Sequence, residues 1–451
     1  MSIIHYIRYI KPQRIYSRRL FLQWFNFIEK SQWWTKEELF NYQWNKIKVL
    51  LNYSYKNIPY YQNMFKALGA FPEDIKTLKD FQKLPYLTKE IVKDRIEELL
   101  PPNYKNKKNN FKYFTTSGST GQPLGFYLLP INDIIENAFM IQQWRRVGFK
   151  ENRTTVILRG EPIKTDGLFY KQRLSDTWYF SSFRLTKYNI KIYIDKLNNL
   201  RPEFLHVYPS SLNVLINLLL ESGLKITFSP TAILCGSESL NDFQRELFQK
   251  VFNTRVYRWL GSAEQTTLAG ECESSFNLHA WPQYSYVELL NEDGQEVKEF
   301  GESGEIIGTN LHNFATPFIR YKSGDIATYA GNSCRKCGRQ FLMFDSIKGR
   351  TQDIVYLSDH STFPIGPAIF GIHEDYWSLI NFIQIVQNIP GEIIIKIDTR
   401  ADKELLIQKL TPLFNARFGR ILKFSLEFSS DMKKTKNGKH IFLIQNLKPG
   451  S

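Results

Sequence analysis

The sequence predicts an α/β protein: a large domain of alternating strands and helices with a helical lead-in, closed by a small α+β domain. Three observations predict it. Short apolar strand-like runs alternate with amphipathic helical periods between Thr154 and Trp259. From Tyr284 to Ala330 the pattern turns strand-rich. After Arg350 the texture changes to a compact strand–helix–strand unit of about a hundred residues, a size suited to a separate domain.

In chain order, residues 1–110 read as mostly helical, and Pro101–Asn110 as a polar loop. Thr154–Arg159 reads as a strand, and Ile190–Leu200 and Ser211–Ser222 as helices. Thr231–Cys235 is a buried strand running into the turn Gly236-Ser237-Glu238. Asp242–Phe252 is an amphipathic helix and Arg255–Trp259 the next strand. Turns fall at Glu292-Asp293-Gly294 and from Gly301 to Gly304. In the C-terminal part, Glu392–Asp398 reads as a strand, Asp402–Phe418 as a helix and Leu422–Phe428 as a strand. A basic loop, Lys433 to Lys439, precedes a last strand at Ile441–Gln445. The predicted domains are 1–351, with 1–110 as lead-in, and 352–451. No internal repeat is visible.

The chain has 451 residues, 43% of them hydrophobic and 15% aromatic, which excludes a disordered class. The longest apolar run, Val214 to Leu220, is broken by Asn217 and is too short to span a bilayer. Met1–Ile10 carries His5 and Arg8, so it lacks the continuous apolar core of a signal peptide, and the expectation is a cytoplasmic protein. The net charge of +15 is concentrated partly in an aromatic-rich N-terminus. No nucleic-acid-binding signature accompanies it, so a nucleic-acid partner is not expected. A solvated helical surface is the favoured reading, and peripheral contact with anionic lipid the sharper alternative.

Phe114-Thr115-Thr116-Ser117-Gly118-Ser119-Thr120-Gly121-Gln122-Pro123-Leu124-Gly125 is the loudest local signal. A loop so rich in backbone N–H and hydroxyl donors suits triphosphate oxygens. It is not a Walker P-loop, because no Gly-Lys-Ser/Thr follows. The loop resembles the nucleotide-binding loop of the adenylate-forming superfamily of acyl-CoA ligases, luciferases and adenylation domains. More narrowly, the chain resembles the phenylacetate–CoA ligase family, in particular its capsular-polysaccharide-associated branch, from about residue 40 to the C-terminus. Five further motifs follow in that family's order.

The resemblance implies ATP and Mg²⁺ as cofactors and a large adenylating domain with a small C-terminal lid. It assigns Thr116, Ser117, Gly118, Ser119, Thr120 and Gly121 to phosphate binding. Gly236, Ser237 and Glu238 match the turn placed against adenine. Trp259-Leu260-Gly261-Ser262-Ala263-Glu264 resembles Tyr-Gly-x-Thr-Glu, so Glu264 would hold Mg²⁺. Leu260 stands where a stacking Tyr is usual and Ala263 where a Thr is usual. Arg320-Tyr321-Lys322-Ser323-Gly324-Asp325 resembles Tyr-Arg-Thr-Gly-Asp, which gives Asp325 the ribose hydroxyls. Gly349-Arg350-Thr351-Gln352-Asp353 matches the junction motif, with Arg350 on ribose or phosphate. In Lys433-Lys434-Thr435-Lys436-Asn437-Gly438-Lys439 the final Lys439 would enter the active site. A cation there stabilises the charge that gathers on the α-phosphate and the attacking carboxylate.

The implied reaction is ATP-dependent activation of a carboxylic acid as an acyl-adenylate. The acceptor is then coenzyme A, a carrier protein or an amine such as an amino sugar. In the stretch from Asp353 to Phe363-Pro364, Ser358, Asp359 and Ser361 replace the family's Arg, Gly and Asn. A side chain at Asp359 would obstruct a pantetheine arm. A non-catalytic nucleotide-binding assembly protein of a polysaccharide pathway is the competing class, and the retained Glu264 and Lys439 oppose it.

Four residues outside these motifs suit a structural zinc ion. Cys334-x-x-Cys337-Gly338 has knuckle spacing, and Cys272 with His279 completes a tetrahedral set. Free thiols or a redox Cys pair are the alternatives. Cys235 reads as core.

Overall fold

The computed structural model describes residues 15–102, 104, 111–115, 124–159, 167–173, 175–182, 184–238, 240–350, 354–358, 362–365, 369, 379–419, 421–434 and 440–447. The candidate residues Thr116–Gly121, Asp359, Ser361 and Lys439 lie outside this set, as does the side chain of Arg350. The chain forms two compact units. One is Met1–Thr116, Pro123–Arg146 and Trp259–Ile347, and the other is Ser117–Gln122, Val147–Arg258 and Lys348–Ser451. Among the described residues, no helix is long and apolar enough to cross a membrane.

The first unit begins with the helical lead-in: α1 (Ile15–Ser31), α2 (Lys36–Asn57), α3 (Pro59–Leu68) and the short α4 (Leu78–Phe81) and α5 (Lys89–Asp94). Thr35 starts α2 through a capping box. Its hydroxyl accepts from the Glu38 amide, and the Glu38 carboxylate accepts from the Thr35 amide at 2.8 Å. Pro59 opens α3, and Gly69, at φ +60°, closes it in the left-handed conformation that Gly adopts without cost. Strands β1 (Lys112–Thr115) and β2 (Gly125–Leu128) form a hairpin, Lys112 opposite Leu128 and Thr115 opposite Gly125. That pairing anchors both ends of the Ser/Gly-rich segment. Helix α6 (Pro130–Arg145) follows and packs along α1.

The second unit takes the next stretch: β3 (Thr155–Leu158), β4 (Phe169–Lys171), β5 (Thr177–Phe180), α7 (Ile190–Leu200), β6 (Phe204–Val207), α8 (Pro209–Glu221), β7 (Ala232–Cys235), α9 (Asp242–Phe252) and the first half of β8 (Arg255–Gly261). Strands β8, β7, β6, β3 and β5 are parallel neighbours in that order, with β4 antiparallel at the edge. Both faces are covered, so β3, β6 and β7 are buried at every position, as parallel strands require. Val156, Leu205, Ile233, Leu212 and Ile216 meet in the core between strands and helices.

Residues 259–261 of β8 return to the first unit and pair with β9 (Leu268–Gly270). Strands β10 (Leu278–Ala280), β11 (Ser285–Leu290), β12 (Ser303–Asn310), β13 (Tyr321–Tyr329) and β14 (Met343–Arg350) extend it antiparallel, in the order β9-β10-β14-β13-β12-β11. Arg320, just before β13, ties this sheet to the lead-in. Its guanidinium makes a two-pronged pair with Glu288 at 3.1 and 2.9 Å, donates to the carbonyls of Gln82 and Leu84, and stacks over Tyr86. Burial pushes the Glu288 carboxyl up, and the Arg320 charge opposes that shift. Arg320→Ala leaves a buried carboxylate unpaired, so an expected loss of about 3–5 kcal/mol should appear in denaturant unfolding. A change under 1 kcal/mol would contradict this role.

The C-terminal stretch adds a hairpin of β15 (Ile354–Tyr356) and β16 (Thr362–Pro364) and a four-stranded sheet. Its strands are β17 (Ile380–Ile389), β18 (Glu392–Thr399), β19 (Lys423–Phe428) and β20 (Leu443–Gln445), in the order β19-β18-β17-β20. Helix α10 (Lys403–Arg417), capped by the Asp402 carboxylate, buries Leu406, Leu410 and Phe414 against Ile383, Ile385 and Ile395. Within the second unit, Asn213 and Asn217 of α8 donate to Ile380 and Asn381 at the start of β17.

Candidate active site

The Gly236-Ser237-Glu238 turn sits at the C-terminal ends of the parallel strands. Gly236 follows β7 and is buried. Ser237 holds φ +66°, an uncommon conformation for a non-glycine residue and a sign of a functionally shaped turn. The Glu238 carboxylate accepts from the Ser210 amide at 3.0 Å and the Ser210 hydroxyl at 3.1 Å. It therefore caps the first turn of α8, where the helix dipole favours negative charge. The turn is thereby fixed to the helix that leaves the neighbouring strand.

In the first unit, Trp259 lies in β8 opposite Gly270 and is buried against Trp144, ring centroids 5.4 Å apart. Leu260 packs on the core of the antiparallel sheet and Gly261 is exposed. Glu264 is half-buried in the tight turn after β8. The Ser262 hydroxyl accepts from the amides of Thr266 and Thr267, Gln265 adopts φ +57°, and the Glu264 carbonyl accepts from the Asn310 side chain at 3.2 Å. These bonds order the backbone that carries the carboxylate, the donor type Mg²⁺ takes.

Asp325 occupies a bulge in β13. Glu305 pairs with Ile326 and Ile307 with Lys322, so Ser323, Gly324 and Asp325 stand opposite Ile306 alone. Gly324 supplies the left-handed turn at φ +73° and its amide donates to Glu305. The Ser323 hydroxyl accepts from the Asp325 amide at 3.1 Å and donates to the Ile306 carbonyl at 2.8 Å. Bulges of this kind re-aim a side chain at the edge of a site. The Asp325 carboxylate, buried and acceptor-only, suits the paired hydroxyls of a ribose.

Lys439 lies outside the described residues, but the base of its loop does not. Gln384 of β17, buried, donates to the carbonyls of Lys433 and Ile441 and accepts from the Lys433 amide. One amide side chain thus clamps both ends of the segment. His440, tilted against Phe382 with ring centroids 4.0 Å apart, is pushed down to about 3 by burial and by Lys434. Gln384 was not legible in the sequence, since it is one of three buried polar residues, with Asn381 and Gln387, that interrupt the apolar run of β17. Gln384→Leu removes the clamp and is expected to slow acyl-adenylate formation about tenfold with ATP affinity little changed. Pre-steady-state chemical quench checks it, and an unchanged rate would refute it.

The four candidate metal ligands do converge. The donor atoms of Cys272, His279, Cys334 and Cys337 lie within 4.8 Å of one another, and the first three residues are buried. Cys272 follows β9, His279 belongs to β10, and the two Cys of the knuckle sit between β13 and β14. His279 Nδ1 donates to the Asn277 carbonyl at 2.8 Å, which leaves Nε2 as the ligand atom, 3.6 Å from Cys337 Sγ. Gly338, at φ +82°, donates to the Cys334 carbonyl and closes the knuckle. The Cys272 thiol, His279 and Arg339 all hold the Cys337 thiol low, which favours a thiolate. Three Cys and one His, with only Cys337 partly exposed, fit a structural zinc ion.

Arg339, next to the knuckle, is buried and reaches the lead-in. It donates to the Glu273 carboxylate at 2.7 Å through two nitrogens and to the side-chain oxygen Oε1 of Gln32 at 3.0 and 2.8 Å, and it lies over Trp33.

No protein-family model matches the chain. Among curated proteins it is similar to Protein CapK of Staphylococcus aureus, 26% identical over 427 residues, covering 91% of this chain and 90% of that one. It is also similar to the phenylacetate-coenzyme A ligase of Escherichia coli (strain K12), 25% identical over 342 residues, covering 73% of this chain and 75% of that one. Its fold is that of 2-hydroxyisobutyryl-CoA ligase in the postadenylation state, with a TM-score of 0.66, 15% identity, and coverage of 89% of this chain and 88% of that one.

Proposed function

We propose that this chain, which is similar to CapK and to the phenylacetate–coenzyme A ligases, belongs to the adenylate-forming group with those ligases, activates a carboxylic acid with ATP to an acyl-adenylate and passes the acyl group on. One observation carries the reading. The Gly236-Ser237-Glu238 turn, Glu264 and the bulged Asp325 occur in the order of that group, and each is held by its own hydrogen bonds.

In this reading Asp325 takes the ribose hydroxyls and the 236–238 turn lies against adenine. Residues 116–121 cradle the phosphates, and Arg350 contacts ribose or phosphate. The acid's carboxylate oxygen attacks the α-phosphorus, the bond to the bridging oxygen breaks, and pyrophosphate leaves with the electron pair. Glu264 would hold Mg²⁺, which offsets charge on the departing pyrophosphate when bound. Lys439 stabilises the charge on the α-phosphate and the attacking carboxylate. The small domain is taken as 352–451. The acyl acceptor is coenzyme A, a carrier-protein thiol or an amine, and a carboxylate at Asp359 disfavours free coenzyme A. Polysaccharide synthesis is a candidate setting, and the likeness to CapK supports it. The test is acid-dependent exchange of labelled pyrophosphate into ATP across a panel of carboxylic acids. Exchange with at least one acid supports the reading, and ATP binding without exchange for any acid opposes it.

A further inference from the structure

Arg159 belongs to none of the motifs, yet its setting is unusual. It follows β3 directly and is 4% exposed. A guanidinium carries five N–H donors and a charge that does not titrate away. Here it donates to His206 Nε2 at 2.6 Å and to the Ser237 hydroxyl at 2.6 Å, and its carbon lies 4.5 Å from the centre of the Tyr208 ring. Since Arg only donates, His206 accepts, and burial with the adjacent guanidinium keeps that imidazole neutral. The Arg159 Nε–H is buried without a hydrogen-bond partner. Among the described residues no carboxylate pairs with Arg159. The nearby Glu238 is occupied by Ser210. A buried cation so placed is costly until an anion meets it.

Its location supplies the second half of the argument. The strand order β8-β7-β6-β3-β5 means that the chain leaves β3 toward β5 on one side, and leaves β6 toward β7 on the other. The connections diverge between β3 and β6, and ligands of open α/β sheets bind in the crevice beyond the strand ends at such a point. Arg159 directly follows β3, Tyr208 directly follows β6 with His206 one residue short of that strand's end, and Ser237 is the second residue after β7. All the groups that hold the guanidinium come from the rim of that crevice, and Ser237 belongs to the strained turn assigned to the nucleotide.

Resting on the adenylation reading above, we propose that Arg159 is a specificity-determining residue that binds a second anionic group on the acid substrate, so that the preferred acids are dicarboxylic or otherwise dianionic. The reacting carboxylate is the poorer candidate for this cation. It gives up its charge as the mixed anhydride forms, so a buried cation dedicated to it would favour the ground state over the transition state. A second carboxylate keeps its charge throughout, and a guanidinium recognises it through paired N–H donors. An acid with an apolar tail leaves the guanidinium unpaired, and sites built to bond a polar group reject such analogues strongly.

The experiment compares matched acids on the full-length protein. The pairs are straight-chain dicarboxylates of three to six carbons against the monocarboxylates of equal length, and benzene-1,4-dicarboxylate against 4-methylbenzoate. Binding is read by calorimetry without ATP, and turnover by pyrophosphate exchange. At least one dicarboxylate should bind and exchange about a hundredfold better than its partner. Arg159→Gln should abolish that difference, chiefly by raising KM, and Arg159→Lys should restore part of it. No dicarboxylate outbinding its partner in the unmodified protein overturns the inference, whether or not the variants fold. So does a preference that survives in Arg159→Gln. Exchange that is equal within every pair rejects the subsite and leaves adenylation standing. Selective dicarboxylate binding with no exchange rejects adenylation and leaves the subsite standing.

Discussion

Lys439→Ala is expected to slow acyl-adenylate formation by about a hundredfold or more while ATP binding changes little. The asymmetry follows from when the charge appears. In the proposed reading ATP in the ground state would be held by many donors, with residues 116–121 among them, so one cation would add little. In the transition state the α-phosphate carries extra negative charge beside a carboxylate that has not yet lost its own, and a cation at that place and moment acts on the barrier directly. The structure adds a reason for the loop to be accurate. Gln384 bonds the backbone at Lys433 and Ile441, the two ends of the segment carrying Lys439. Rapid-quench measurement of acyl-AMP checks the prediction. A folded Lys439→Ala protein with an undiminished rate would remove the role given to the small domain.

Cys334→Ser is expected to abolish metal retention and lower the melting temperature by about 10 °C. The unmodified protein, purified without chelator, should carry about one zinc per chain. The metal would bind four groups from three separate segments, so its free energy would be folding free energy for the antiparallel sheet. Arg339 extends that effect. It is anchored beside Cys337 and bonds Gln32 between α1 and α2, so hydrogen exchange should rise first around Gln32 and Trp33 when the metal is lost. Protein free of zinc with an unchanged melting temperature would refute the assignment.

How far the fold was legible depended on what each segment buries. Thr231–Cys235 was readable because a parallel strand covered on both faces is apolar at every position. Asp402–Phe418 was readable from its capping Asp and helical length, and the helix is Lys403–Arg417. Helix α6 was not foreseen. It is buried nearly all round, yet it carries Asn132, Asp133, Glu136, Asn137, Gln142 and Gln143, which read as an exposed polar face. Several of those groups bond distant partners, such as the His312 carbonyl for Asn132 and Glu29 for the Gln142 amide nitrogen, which no local pattern reveals. Strand β17 was missed for a related reason, since Asn381, Gln384 and Gln387 interrupt its apolar run while staying buried.

The candidate site divides the same way. The metal ligands were legible because Cys-x-x-Cys spacing is geometry written in sequence, and the fold brings Cys272 and His279 to it. Motif order located Glu264 and Asp325, but the bulge that presents Asp325 depends on a two-strand register that one strand does not encode. Arg159 looked like the end of a strand. Its meaning lies in its burial among residues from β6 and the turn after β7.

The central claim, that the acid is activated as an acyl-adenylate, is tested most directly by isotope transfer. An acid that supports pyrophosphate exchange is labelled with ¹⁸O in both carboxylate oxygens, incubated with ATP and enzyme, and the acyl group is released with hydroxylamine. Attack of the carboxylate on the α-phosphorus places one ¹⁸O in AMP, and mass spectrometry should find it there. Label in inorganic phosphate with formation of ADP, or AMP that carries none, would contradict the account.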